Sequence, residues 1–205
     1  MQKAFEELYE SLDGVVDVRL LLPDIVRVLI ENKESVISWI KSKEFKEKYG
    51  NHPYPPLFNP DNIDYREIPS ELAWELNLPL PPYFEFLYLT SHGNGSTGML
   101  NFLTKCNCDS IYCADIFDAR SVYVSVYKEI LNKASKSDKT LYLSIEDYVM
   151  RGDSQKYFAL VPNKPALYLV RDPISTLKSH LGIKRPAGGG ALFYLNLLTC
   201  CCDRE

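Results

Sequence analysis

The chain has 205 residues, 46% of them apolar and 24% charged. That is enough length and apolar content for a folded α/β domain with its own core, and it excludes a disordered chain. The formal net charge of −4 argues against a nucleic-acid partner, whose binders present a basic surface, although a local basic pocket for a small anion is compatible with it.

The first residues, MQKAFEELYESL, are charged and amphipathic, with no basic start followed by an apolar stretch, so they do not read as a secretory signal. No apolar run reaches about 18 residues, so no membrane span is expected, and the expected location is the cytoplasm. Helical spacing covers residues 2–12 and about 23–48. Pro23-Asp24 is a helix start, and Ile25, Val28, Leu29, Val36, Ile37 and Ile40 share one face. Residues 1–50 therefore form a helical N-terminal region, expected to pack on the rest of the protein or on a partner. Residues 51–82 begin with NHPYPPLFNPDN, a linker by composition, and continue into a short helix around Trp74 that closes at 79–82.

From Tyr83 the pattern changes to apolar strands that each run into a loop and a helix. Strands are expected at 83–90, 140–145, 156–161 and 165–170, and helices at 99–105, 122–136 and from about Ile174. Alternation of this kind predicts a three-layer α/β domain over 83–205, with a parallel sheet in which 83–90 and 165–170 lie close together. The six cysteines fall into two groups, Cys106, Cys108 and Cys113, then Cys200, Cys201 and Cys202. In a cytosolic chain they are thiols. Cys106-x-Cys108 is too tight for a paired zinc unit and the run of three is no ligand motif, so no metal is expected.

Two strand ends carry chemistry. The first is SHGNGSTG after the strand 83–90. Glycines permit positive φ and close backbone approach, and the N–H groups of such a turn and of the next helix start converge on one spot that suits a phosphate. Gly93, Asn94, Gly95, Ser96, Thr97 and Gly98 are the residues concerned. No lysine follows the glycines as in a P-loop, and Gly98 comes too early for the dinucleotide fingerprint. The competing reading is a plain strand-to-helix turn. The second is LYLVRDPISTLKSH. Arg171 stands where a parallel strand leaves the sheet, the edge where ligands of open α/β sheets bind, and its planar donor fork suits phosphate. Pro173 fits the first turn of a helix, on which Ser175 and Ser179 share a face. Arg171 as a structural clamp to a carboxylate is the alternative.

Together these stretches resemble the two nucleotide-contacting motifs of PAPS-dependent sulfotransferases. In that family a strand–loop–helix of the type YPKSGTT or RSGTT cradles the 5′-phosphosulfate, and a later strand ends in R-[ND]-P with a serine eight residues after the arginine. Arg171-Asp172-Pro173 and Ser179 reproduce the second motif with its spacing, and SHGNGSTG stands in the place of the first, about 80 residues earlier. The resemblance covers roughly 83–182. It implies a P-loop-like sheet of sulfotransferase type, PAPS as cofactor, and Arg171 and Ser179 on the 3′-phosphate. Two departures stand out. The family's loop carries Lys or Arg just before its Ser-Gly, where this chain has Asn94 or Gly95; losing a cation there costs several kcal/mol of transition-state stabilisation, unless His92 or Lys105 substitutes. The chain also ends about 25 residues after the second motif, without the family's basic loop, as a C-terminally truncated or degenerate member would. The wording IPSELAWELNLPLPP running into HGNGSTG resembles more closely an uncharacterised bacterial family whose members are sometimes labelled sugar transferases; this implies no established activity and fits surface-glycan modification by association.

A hydroxyl acceptor needs a general base. His92 in the turn, His180 beside Ser179, and Glu146 with Asp147 past the strand 140–145 are the candidates. The expected function is binding of a 3′-phosphorylated adenine nucleotide and sulfate transfer to a carbohydrate or other small hydroxyl acceptor. Two alternatives stay open: an inactive nucleotide-fold remnant with a binding or regulatory role, and a nucleotide-sugar glycosyltransferase, for which no D-x-D motif speaks.

Overall fold

The computed structural model describes residues 2–16, 22–91, 93–112, 118–146 and 152–182. Its centre is an all-parallel sheet of four strands, β1 (Phe86–Thr90), β2 (Cys108–Ile111), β3 (Thr140–Glu146) and β4 (Ala166–Tyr168), in the spatial order β2-β3-β1-β4. β1 lies between β3 and β4, with Tyr88 opposite Ser144 on one side and Leu167 on the other. The expected parallel pairing of the first and last strands is therefore present.

Nine helices complete the described fold: α1 (Gln2–Leu12), α2 (Pro23–Glu31), α3 (Lys33–Lys41), α4 (Lys43–Tyr49), α5 (Ser70–Glu75), α6 (Ser96–Lys105), α7 (Ala119–Ala134), α8 (Ser154–Ala159) and α9 (Pro173–Gly182). The helical N-terminal stretch is thus several short helices. Ser42 separates α3 from α4 by capping the latter, its hydroxyl accepting from Phe45 N–H at 3.0 Å.

Alternation along β1 and β3 sorts the core onto two faces. Tyr88 and Tyr142 pack with Leu103, Met99 and Leu100 of α6. Leu141 and Leu143 face the other way, into a cluster with Val122, Val126 and Ile130 of α7. Helices therefore cover both faces. The α7 cluster is continuous from Leu8 and Leu29 through Leu57 and Trp74 to Tyr157 and Leu160, so the N-terminal helices share one core with the sheet. The proline-rich stretch is irregular but packed. Leu57 is fully buried, and the Pro56 carbonyl accepts from Trp39 Nε1 at 3.0 Å. Tyr123 and Tyr127 of α7 donate at 2.7 Å to the carbonyls of Leu78 and Tyr65, tying that segment to the sheet layer. Burial pushes both phenols upward from the usual tyrosine range.

Residues 156–161 are not a strand. Asp153 accepts from Lys156 N–H at 2.9 Å and caps α8; Tyr157 is buried while Phe158 is half exposed. A short apolar run fits helix or strand equally, and here the cap decides. β2 was not expected either. It is four residues long, its central positions only half-buried, and it begins after Asn107 at φ 60°. Among the described residues no helix is long and apolar enough to cross a membrane.

Candidate functional site

The turn between β1 and α6 needs glycine at two positions, Gly93 at φ 83° and Gly95 at φ 93°, both in the left-handed region. Gly98 lies inside α6; a Cβ added there or at Gly95 would meet nothing within 4 Å. The space over the start of α6 is therefore open. The helix's own bonding begins with Gly98 and Met99, whose N–H groups donate to the Gly95 carbonyl at 3.1 and 3.2 Å. The N–H groups of Ser96 and Thr97 come before that ladder, and the N-cap residue, Gly95, has no side chain to cap them. Ser96 is half-buried and Thr97 exposed.

The second strand end meets this turn directly. Arg171 Nη1 donates to the Gly93 carbonyl at 3.0 Å, across 78 residues of chain. Asn94 fastens the same junction: its Nδ2 donates to Ser91 Oγ at 2.6 Å and to the Leu169 carbonyl at 3.2 Å, and its Oδ1 accepts from Thr176 Oγ1 at 3.1 Å. Pro173 opens α9, and Asp172 caps it by accepting from Ser175 N–H at 2.8 Å. The hydroxyl and N–H of Ser175 hold the Asp172 carboxyl below the usual aspartate range. Ser179 is half-buried, three residues after Thr176 on the same side of α9; Thr176, not Ser179, reaches the turn.

Glu146 ends β3 in register with Thr90, so it stands one strand away from the turn at the same sheet edge. His92, Asp147 and the side chain of His180 lie outside the described residues. Lys105, the other substitute cation, sits at the far end of α6 from the turn.

Thr90 and Thr176 were missed from sequence. Thr90 is 4% exposed and its hydroxyl has no partner among the described residues; the hydroxyls of Tyr88 and Ser144 share that condition. All three are on the α6 face of the sheet. Buried hydroxyls are normally bonded, so this face has donor capacity to spare beneath the turn. A strand residue gives no such signal in sequence, since threonine is common in strands.

Two cavities lie elsewhere. One of about 580 Å³ is lined by Asn32, Ser38, Trp39, Phe58, Asp64 and Leu72; another of about 490 Å³ includes Tyr49, His52, Tyr54 and Asn77. Neither contains a residue of the turn or of α9. Cys106 and Cys108 are free thiols, and no group of three metal-ligating side chains occurs among the described residues. No protein-family model, no curated protein and no solved structure matches the chain.

Proposed function

We propose that the chain is a sulfotransferase-like protein with a sheet of P-loop type, which binds a 3′-phosphorylated adenine nucleotide across the Gly93–Gly98 turn and Arg171 and passes a sulfuryl group to a carbohydrate or other small hydroxyl acceptor. The observation that carries this reading is the guanidinium of Arg171 on the Gly93 carbonyl. It joins the two stretches that resemble the family's motifs. It also sets the proposed 3′-phosphate cation beside the turn proposed to hold the 5′ end, so that one nucleotide can span the two. Arg171 spends one donor on the carbonyl and keeps the rest of its fork for an anion.

The residues fit PAPS in kind: open room above Gly95 and Gly98, N–H groups of Ser96 and Thr97 ahead of the helix ladder, a fixed cation, and spare hydroxyl capacity at Thr90. When bound, PAPS supplies an activated sulfuryl group. In this reading Glu146 holds the acceptor's proton, the turn orients the 5′-phosphosulfate, and Arg171 and Ser179 hold the 3′-phosphate.

One observation favours the alternative of a binding or regulatory protein. Asn94, where the family's loop has a cation nearby, is engaged in fastening the turn, through Ser91 Oγ, the Leu169 carbonyl and the Thr176 hydroxyl. Thermal shift with adenosine 3′,5′-bisphosphate, UDP and buffer separates the readings. A shift with the bisphosphate alone supports nucleotide binding of the proposed kind. A shift with UDP alone points to a nucleotide-sugar ligand, and no shift refutes nucleotide binding at this junction. Sulfate release from PAPS in the presence of sugar acceptors then distinguishes an enzyme from a binder.

A further inference from the structure

β4 pairs with β1 on one side, and among the described residues no strand flanks the other. In a parallel ladder a strand's residues serve its two neighbours alternately. Leu87 N–H donates to the Pro165 carbonyl at 2.8 Å and Leu169 N–H to the Leu89 carbonyl at 3.3 Å. Odd positions therefore serve β1, and the backbone groups of Ala166, Tyr168 and Val170 face the open edge. The side chains there are apolar and uncovered: Tyr168 is 59% exposed, Val170 71%, Ile174 69% and Leu177 63%. Including Leu167, five of the ten large apolar side chains that the described residues expose fall in this one stretch. An unpaired apolar edge of this kind calls for a cover.

The chain carries a fitting one. After α9 and the stretch IKRPAGGG comes ALFYLNLL, residues 191–198, apolar at every position but Asn196. Near-continuous apolar composition is what a parallel strand covered on both faces requires. The ten residues of α9 run about 15 Å, enough to return from the carboxyl end of β4 to its start, and eight further residues reach up to about 26 Å. A right-handed crossover from α9 would bring a following strand to the free side of β4, parallel to it. A second copy is the less fitting occupant, since two-fold pairing of β4 with itself would join strands of only three residues. We propose that the open edge of β4 is the docking site of this chain's own residues 191–198. The inference rests on the sheet alone and not on the nucleotide reading.

The test is residue-resolved amide hydrogen exchange on the full chain, at two protein concentrations, with and without the adjacent pair Leu195→Pro and Asn196→Pro, one of which must fall on the side facing β4. Proline removes a ladder donor and fixes φ. In the unaltered chain the amides of Tyr168 and Val170 should exchange at least about a hundredfold slower than open chain, independently of concentration. The paired prolines should release them while Leu167 and Leu169, bonded to β1, stay protected. Open-chain exchange at Tyr168 and Val170 in the unaltered chain overturns the proposal, as does protection that survives the paired prolines. Protection that grows with concentration overturns it in favour of a second copy.

Discussion

Replacing Arg171 with alanine removes two things of unequal weight. One is the bond from Nη1 to the Gly93 carbonyl at 3.0 Å. It lies at an exposed side chain, so water replaces it and the protein loses little stability. The other is the cation that the proposed ligand meets. A charge-assisted contact is worth about 1.5–3 kcal/mol, which is roughly a tenfold to 150-fold loss of affinity. Ser179→Ala removes a neutral hydroxyl contact worth about 0.5–1.5 kcal/mol, so its effect should be the smaller. Arg171→Lys keeps the charge but not the planar fork, and should fall between the unaltered protein and Arg171→Ala. Calorimetric titration with adenosine 3′,5′-bisphosphate measures this, and adenosine 5′-monophosphate, lacking the 3′ group, is the internal control; its affinity should change far less. Equal losses for both nucleotides would refute assignment of the arginine to the 3′-phosphate. Unfolding of Arg171→Ala would show that the contact with Gly93 is a structural clamp.

Other perturbations follow from the same geometry. Thr90→Val removes a buried hydroxyl without a partner and should stabilise the ligand-free protein by about 1 kcal/mol in urea unfolding, while diminishing the thermal shift given by the bisphosphate; destabilisation would mean the hydroxyl is bonded after all. Tyr127→Phe strips the carbonyls of Tyr65 and Ile68 of their donor and should cost about 1–2 kcal/mol, lowering Tm by roughly 2–4 °C per kcal/mol for a chain of this size. Asp172→Ala uncaps α9, and the amide of Thr176 should exchange several-fold faster. Because the Asp172 carboxyl is held low by Ser175, its support of α9 is present above the ordinary aspartate pKa and is lost as pH falls through the lowered value; exchange at Thr176 in Asp172→Ala should lack that acid dependence.

The parts of the fold legible in sequence are those where one local rule acted alone. β1 and β4 were legible because apolar runs ended abruptly at glycine or at Arg171-Asp172-Pro173, and the start of α9 followed from Pro173. α8 was not, because KYFALV fits either period and only the cap at Asp153 decides it. β2 was not, because CDSI is short and half-buried, so it carries no alternation. In 51–82 the prolines mark irregular backbone, but the burial of Leu57, whose N–H donates to the Leu76 carbonyl, and the bond from Trp39 to the Pro56 carbonyl depend on distant residues that no local signal contains. At the junction, the turn and Arg171 were visible as residue types at strand ends. The contact of Thr176 with Asn94 was not, since it depends on how α9 leaves β4.

The strand order has a consequence for synthesis. β1 is complete at Thr90, yet its partners begin only at Thr140 and Ala166, and the strand made next, β2, settles at the far edge beyond β3. At the usual rate of about 5–20 residues per second, β1 waits roughly 4–15 s after leaving the ribosome before both its edges can be filled. FLYLT keeps at least one edge unpaired through that interval, open to chaperones and to other nascent chains. Slow codons between β1 and β4 would lengthen that exposure and lower the folded yield without altering a single residue of the product.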